Sequence, residues 1–139
     1  MILCQIRLKN DLMGNNIVTK ASIFIVEDDD IIARTIEWRL KKLGYEVSGR
    51  AVDGNDAVEA ITRDQPDLVL MDISLPGDMD GISAADSIRK TSNVPIVYMT
   101  AWSDDDTLHL AKATHPSGYL VKPFEDKDLR VAIEMALNK

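Results

Sequence analysis

The sequence predicts an α/β fold in which a parallel β-sheet is covered by helices on both faces. Three observations support this prediction. Short apolar runs bounded by turn residues recur along the chain, as is typical of strands buried on both faces. Segments with helical spacing of apolar residues lie between these runs. The run at residues 67–72 is enclosed by Gln65-Pro66 and Pro76-Gly77, which marks it as a central strand. Alternation of this kind predicts a doubly wound sheet with right-handed crossovers.

Each element has its own signal in the sequence. The apolar runs predict strands at residues 23–26, 45–52, 67–72, 95–99 and 118–121. Helical spacing predicts helices at residues 31–43, 56–63, 81–90, 103–113 and 125–137. In the first helix, Ile32, Ile36 and Leu40 fall on one face, Asp29 or Asp30 can cap the start, and Gly44 ends it.

Length and composition limit the chain to one domain with an acidic surface. The 139 residues carry a net charge of −7, with 45% hydrophobic and 28% charged residues. This charge argues against direct binding of nucleic acid or an anionic membrane. No apolar run approaches the length of a membrane span, the start is not a secretory signal, and Cys4 is the single cysteine, so we expect a cytoplasmic protein. Residues 1–21 are expected to form a flexible or weakly packed extension to a domain at 22–139.

Polar residues close the predicted core strands. They are Glu27 and Asp28 after the first strand, Asp72, Thr100, and Lys122 after the last. The carboxyl ends of parallel strands meet at one edge of the sheet, where such folds bind ligands. Three converging carboxylates repel one another unless a cation is bound. A set of oxygen ligands alone favours Mg²⁺ or Mn²⁺. The Lys122 ammonium would pair with a carboxylate, or with a bound anion such as a phosphoryl group.

Four short motifs at these strand ends carry a resemblance to a known family. They are Ile25-Val26-Glu27-Asp28-Asp29, Leu70-Met71-Asp72, Met99-Thr100-Ala101 and Val121-Lys122-Pro123-Phe124. In this order they resemble the receiver domain of two-component response regulators, over residues 22–139. The resemblance implies the flavodoxin-like strand order 2-1-3-4-5. It also implies that Asp72 accepts a phosphoryl group from a histidine kinase or a phosphotransfer protein.

The resemblance further implies a metal site at the same edge. Asp28, Asp72 and the backbone carbonyl of Ser74 would bind Mg²⁺, and Glu27 would act through a water molecule. Glu27 stands where many such domains have Asp, a variant that the family permits. The protein would be a signalling phosphoacceptor and not an enzyme with a separate substrate, although it would catalyse its own phosphorylation and a slow dephosphorylation.

The remaining implied roles concern switching and signal lifetime. Thr100 and Lys122 would bind phosphoryl oxygens, and Tyr119 would change rotamer together with Thr100. This would alter the surface of the fourth helix, fifth core strand and fifth helix, where a downstream protein binds; a homodimer is also left open. Ser74 and Trp102, each two residues beyond a key position, would tune the lifetime of the phosphorylated state.

Three other functions compete with this interpretation. One is a Mg²⁺-dependent phosphohydrolase of the haloacid dehalogenase type, for which residues 28–30 supply an Asp-x-Asp, but the chain has no room for a cap domain. Another is a flavodoxin-like binder of flavin mononucleotide, but the acidic loop after the first strand would repel the phosphate. The last is a receiver that acts only as a scaffold, without phosphorylation.

Overall fold

The apolar runs form strands of one parallel sheet, flanked by helices. The computed structural model describes residues 6–10, 16–101 and 105–138, and it describes side chains for residues 20–101 and 107–138. The strands are β1 Ile6–Asn10, β2 Asn16–Lys20, β3 Ser22–Val26, β4 Glu46–Ala51, β5 Leu68–Asp72, β6 Ile96–Thr100 and β7 Gly118–Val121. The helices are α1 Asp30–Lys42, α2 Gly54–Asp64, α3 Gly81–Arg89, α4 Asp105–Lys112 and α5 Asp126–Leu137.

The sheet has the predicted topology. Its five strands are parallel and lie in the order β4-β3-β5-β6-β7. Counted from Ser22, this is the order 2-1-3-4-5, so the predicted fold class is confirmed. Every residue of β5 and β6 is buried, as expected for central strands covered on both faces.

Alternation along the strands builds two separate cores. In β5, Leu68 and Leu70 point to the core under α1 and α5, whereas Val69 and Met71 point to the core under α2 and α3. The helices that cover these cores begin at acidic caps. Asp29 caps α1 by accepting a hydrogen bond of 3.0 Å from the Ile32 amide. The caps therefore set where each loop of the strand-end edge turns into a helix.

Two strands that were not predicted from the sequence precede the five-stranded sheet along the chain. β1 and β2 form an antiparallel pair with Ile6 opposite Lys20 and Leu8 opposite Val18. The signal was an alternation of apolar and basic residues at Ile6-Arg7-Leu8-Lys9, which is too short to separate a strand from a loop. That residues 1–21 form a flexible or weakly packed extension stays a prediction. Among the helices that the structure describes, none has the length and apolar character needed to cross a membrane.

Candidate functional site

The carboxyl-terminal edge of the sheet brings three acids together. Asp72 is the last residue of β5, and Glu27 and Asp28 directly follow β3, its neighbour in the sheet. One carboxylate oxygen from each of these residues lies within 4.8 Å of the other two. Glu27 and Asp72 are only 1% and 5% exposed, whereas Asp28 is exposed to solvent. We call Glu27, Asp28 and Asp72 the acidic cluster.

Lys122 supplies a cation to the acidic cluster. Its Nζ atom lies 2.7 Å from Oε1 of Glu27 and 3.2 Å from Oδ2 of Asp72. Burial lowers the pKa of the Lys122 ammonium, but the hydrogen bond from Lys122 to Glu27 and the negative charges of Asp72 and Glu27 outweigh burial and leave the pKa above its ordinary value. Lys122 is therefore charged at neutral pH and faces Asp72.

Backbone amides satisfy the remaining oxygens of the two buried acids. The Asp29 amide donates a hydrogen bond of 3.2 Å to Oε2 of Glu27, and the Ser74 amide donates one of 3.0 Å to Oδ1 of Asp72. With Lys122 on the other two oxygens, each carboxylate oxygen of Glu27 and Asp72 accepts a hydrogen bond. The two side chains are thus fixed by the loops that follow their own strands.

A glycine allows the next helix to approach the Asp72 strand end. The Gly81 amide, at the start of α3, donates to the carbonyl of Ile73 at 2.9 Å. A Cβ atom at position 81 would lie 2.1 Å from the backbone oxygen of Asp72, well inside van der Waals contact. Only glycine fits there without a shift of the backbone that carries Asp72.

Thr100 and Lys122 are aligned by pairing that continues past the strands. The Lys122 amide donates to the Thr100 carbonyl at 2.7 Å, and the Ile73 amide donates to the Met99 carbonyl at 3.0 Å. Thr100 is 7% exposed and closes β6 beside β5. The peptide bond between Lys122 and Pro123 is cis. Asp72 and Thr100 close β5 and β6, and Lys122 directly follows β7, so the three residues stand at the ends of three successive strands at one edge.

The predicted switch residue Tyr119 lies on β7 next to another tyrosine. Its ring stacks on Tyr98 with the ring centroids 6.0 Å apart and the planes inclined by 30°. The Tyr98 hydroxyl pairs with Oγ1 of Thr114 at 2.6 Å, whereas the buried Tyr119 hydroxyl has no hydrogen-bond partner among the described residues. Burial raises the pKa of Tyr98 to about 12. Trp102, predicted to tune signal lifetime, lies outside the described residues.

The match to a family model identifies the domain. Residues 23–134 match the model of the response regulator receiver domain. The chain belongs to this family. A curated relative, the transcriptional regulatory protein PdtaR of Mycobacterium tuberculosis, is 41% identical to the receiver domain over 117 residues, which cover 84% of the chain and 57% of the relative. The probable transcriptional regulator ycf27 of Guillardia theta is 34% identical, over 95% of the chain and 51% of the relative.

Solved receiver structures share the fold. The signal receiver domain of a modulated diguanylate cyclase from Desulfovibrio desulfuricans is 38% identical, with a TM-score of 0.79 over 84% of this chain and 92% of that one. The receiver domain of the sensor histidine kinase PA1611 from Pseudomonas aeruginosa is 32% identical, with a TM-score of 0.79 over 87% of this chain and 100% of that one. The latter was solved with a magnesium ion coordinated in its active-site cleft. The chain spans about half of its curated relatives and nearly all of these isolated domains.

The acidic cluster fits a hard divalent cation. Its donors are all carboxylate oxygens, two of the three acids are buried, and their oxygens converge within 4.8 Å. Sequence reasoning placed these acids together, but it missed two residues that the structure adds near the site. Arg50 contacts the loop that carries Glu27 and Asp28, and Tyr98 supports Tyr119. Neither contact leaves a pattern in the sequence, because each joins side chains or backbone atoms from distant segments.

Proposed function

We propose that this receiver domain is the phosphoacceptor of a two-component phosphorelay and that Asp72 takes the phosphoryl group from a histidine kinase or a phosphotransfer protein. The arrangement of Lys122 carries this proposal. Its ammonium is 3.2 Å from Asp72 and anchored by Glu27, so a positive charge is fixed beside the carboxylate. Phosphoryl transfer needs positioning and charge neutralisation more than covalent chemistry from the protein.

In the proposed reaction, a carboxylate oxygen of Asp72 forms a bond to phosphorus. The bond between phosphorus and the imidazole nitrogen of the donor breaks, and that nitrogen keeps the electron pair. The Ser74 amide, 3.0 Å from Oδ1 of Asp72, holds the carboxylate in place during the attack. Lys122 and the Thr100 hydroxyl bind oxygens of the arriving phosphoryl group.

Asp28, Asp72 and the Ser74 carbonyl would hold Mg²⁺, with Glu27 acting through water. The ion would neutralise charge on the phosphoryl oxygens. The donor set supports this assignment, since hard oxygen ligands converge there and Asp28 is the exposed member that solvent and an ion can reach. Mn²⁺ would occupy the same ligands.

The proposed output is a change in the surface formed by α4, β7 and α5, which a downstream protein or a second copy of the domain would bind. Thr100 would move toward the phosphoryl group, and the Tyr119 side chain would then turn toward the space that Thr100 leaves. The buried Tyr119 hydroxyl without a described partner supports this. Moving a buried, unbonded hydroxyl to a site where it is hydrogen-bonded lowers the free energy of the protein.

One experiment tests the phosphoacceptor assignment. The protein is incubated with acetyl phosphate and Mg²⁺, and its intact mass is measured. We expect one added phosphoryl group in the wild type, none in Asp72→Asn, and one in the matched control Asp56→Asn, whose carboxylate lies on the exposed first turn of α2. An unmodified wild type would favour the scaffold function, and continuous turnover of phosphate esters would favour a phosphohydrolase.

The lifetime of the phosphorylated state is a second measurable quantity. We propose slow autodephosphorylation, tuned by Ser74 and by the bulky indole of Trp102, which would shield the phosphoryl group from water. Trp102→Ala is expected to lose phosphate faster than the wild type in a single-turnover decay assay. An unchanged decay rate would remove Trp102 from this role.

A further inference from the structure

An arginine from a neighbouring strand holds the loop that carries two members of the acidic cluster. Arg50, in β4, donates to the Glu27 carbonyl from Nε at 3.1 Å and from Nη2 at 3.0 Å. Nη2 also donates to the Asp28 carbonyl at 3.3 Å, and Nη1 lies 2.6 Å from Oδ1 of Asp30. Two of the three guanidinium nitrogens therefore bind the loop between β3 and α1, and the third binds the first residue of α1.

These contacts fix the backbone of the loop through its carbonyl oxygens. The Glu27 amide donates to the Ala51 carbonyl at 3.1 Å. Arg50 and Ala51, two consecutive residues of β4, therefore both bind the start of the loop. Asp29, at its other end, caps α1. With both carbonyls bound to Arg50, the peptide planes of Glu27 and Asp28 are held in one orientation, which determines where their side chains begin.

An exposed ion pair alone would not have this effect. Arg34 pairs with the same acid, its Nε 3.0 Å from Oδ2 of Asp30, and the two side chains are 78% and 59% exposed. Such pairs contribute little because solvent screens them. Arg50 is different because its side chain is only 27% exposed and because it binds backbone carbonyls. The two arginines thus share Asp30, but among the described contacts only Arg50 binds the loop carbonyls.

We propose that Arg50 is a positioning residue for the divalent-cation site, setting Mg²⁺ affinity by holding the β3–α1 loop without touching Asp72. This rests on the proposed phosphoacceptor function. The planar fork of arginine matches two adjacent carbonyls, which the point charge of lysine does not. Residues that orient metal ligands in this way typically change metal affinity by about 10-fold to 100-fold when they are replaced.

The charge of Arg50 and its hydrogen-bond geometry would affect Mg²⁺ binding in opposite directions, which makes the proposal testable. If Arg50 acted only through its charge, removing it would tighten Mg²⁺ binding, because a nearby cation repels the ion. If it acts by positioning, both Arg50→Met and Arg50→Lys weaken binding, although lysine keeps the charge. Arg34→Met and Arg34→Lys are the matched controls.

The experiment is a Mg²⁺ titration of the 139-residue chain by isothermal calorimetry, with folding verified by circular dichroism. We expect the Kd for Mg²⁺ to rise about 10-fold in both Arg50 variants and to change less than about 2-fold in both Arg34 variants. In acetyl phosphate assays, the half-saturating Mg²⁺ concentration should rise in Arg50→Lys, while the rate at saturating Mg²⁺ returns close to that of the wild type. If Arg50 only stabilised the fold, its replacement would lower the melting temperature, but it would not raise the half-saturating Mg²⁺ concentration while leaving the rate at saturating Mg²⁺ unchanged.

The outcomes separate this proposal from the proposed function. A wild type that binds no Mg²⁺ overturns the metal site and the role of Arg50 with it. A wild type that binds Mg²⁺, with Arg50→Met binding equally or more tightly, overturns the role of Arg50 alone. Should Arg50→Met fail to fold, Arg50→Lys decides the question, and wild-type affinity in that variant contradicts the proposal.

Discussion

The buried carboxylate oxygens of the acidic cluster are all hydrogen-bonded, whereas one buried hydroxyl of Tyr98 and Tyr119, which we call the tyrosine pair, is not bonded to any residue that the structure describes. At the acidic cluster, each carboxylate oxygen of Glu27 and Asp72 accepts a hydrogen bond, with Lys122 shared between the two acids. At the tyrosine pair, the Tyr98 hydroxyl is bonded, but the buried Tyr119 hydroxyl has no partner among the described residues. These two regions lie on the same sheet: the acidic cluster stands at the ends of β3 and β5, whereas the tyrosine pair lies on β6 and β7.

The difference indicates that the acidic cluster is rigid and that the Tyr119 side chain would be stabilised by a change of rotamer. A fully satisfied polar network in a poorly solvated region specifies one arrangement and resists change. A buried hydroxyl without a partner carries a cost that another rotamer can remove. This supports the proposal that chemistry occurs on a preformed edge and that the response occurs at Tyr119. Four substitutions break or sharpen the comparison.

The largest expected effect comes from Gly81→Ala. The added Cβ would lie 2.1 Å from the Asp72 backbone oxygen, so α3 and the strand end must separate. We expect the free energy of unfolding, measured with urea, to fall by about 4 kcal/mol, at the upper end for single substitutions.

The control is Gly77→Ala, where the residue has φ of +86° and an added Cβ meets no atom within 4 Å. Only the backbone conformation is penalised there, by about 1 kcal/mol. Equal effects at the two glycines would mean that the edge carrying Asp72 has more freedom than the structure shows.

Lys122→Met should have the next largest effect. It leaves Glu27 and Asp72, 1% and 5% exposed, without their cation. Breaking a buried pair by removing one partner costs about 3 kcal/mol or more, and since Lys122 is partly exposed we expect about 3 kcal/mol in urea unfolding at neutral pH. The control Lys41→Met removes an exposed pair with Glu37 and should cost less than about 0.5 kcal/mol.

The pH dependence of the stability lost in Lys122→Met follows from the pKa of Lys122. Because the folded-state pKa is raised above the ordinary 10.5, the stabilisation is complete below 10.5 and is lost as the pH rises through the folded-state value. The stability difference between wild type and Lys122→Met should therefore be constant across the neutral and mildly alkaline range. A difference that disappears in the mildly alkaline range would show that Lys122 is not held by the two acids.

Sequence reasoning reached the acidic cluster because two simple rules determine its position. Apolar runs gave the strands, and parallel strands place their carboxyl ends on one edge, which brings Asp72 and Lys122 together although 50 residues separate them. The contacts of Arg50 and the pair of Tyr98 with Thr114 follow from no such rule. They depend on side-chain rotamers and on the path of loops, which periodicity does not determine.

Tyr98→Phe is expected to have a smaller effect. It removes the 2.6 Å hydrogen bond to Thr114, whose hydroxyl still donates to the Ala111 carbonyl at 2.6 Å. Because Thr114 keeps one partner, the loss of unfolding free energy should be about 1 kcal/mol. A double-mutant cycle with Thr114→Val isolates the pair, and a coupling energy near zero would contradict the bond.

Tyr119→Phe should have the smallest effect and, in contrast to the others, no cost. The ring and its stacking on Tyr98 are kept, and only a buried hydroxyl without a described partner is removed. The free energy of unfolding should therefore stay the same or rise by up to about 1 kcal/mol, since an unsatisfied buried group is destabilising. The same variant, saturated with beryllofluoride and Mg²⁺, should lose stability relative to the activated wild type if the hydroxyl gains a partner after switching. A loss in the unmodified protein equal to that of Tyr98→Phe would mean that Tyr119 is already bonded, and the contrast with the acidic cluster would no longer hold.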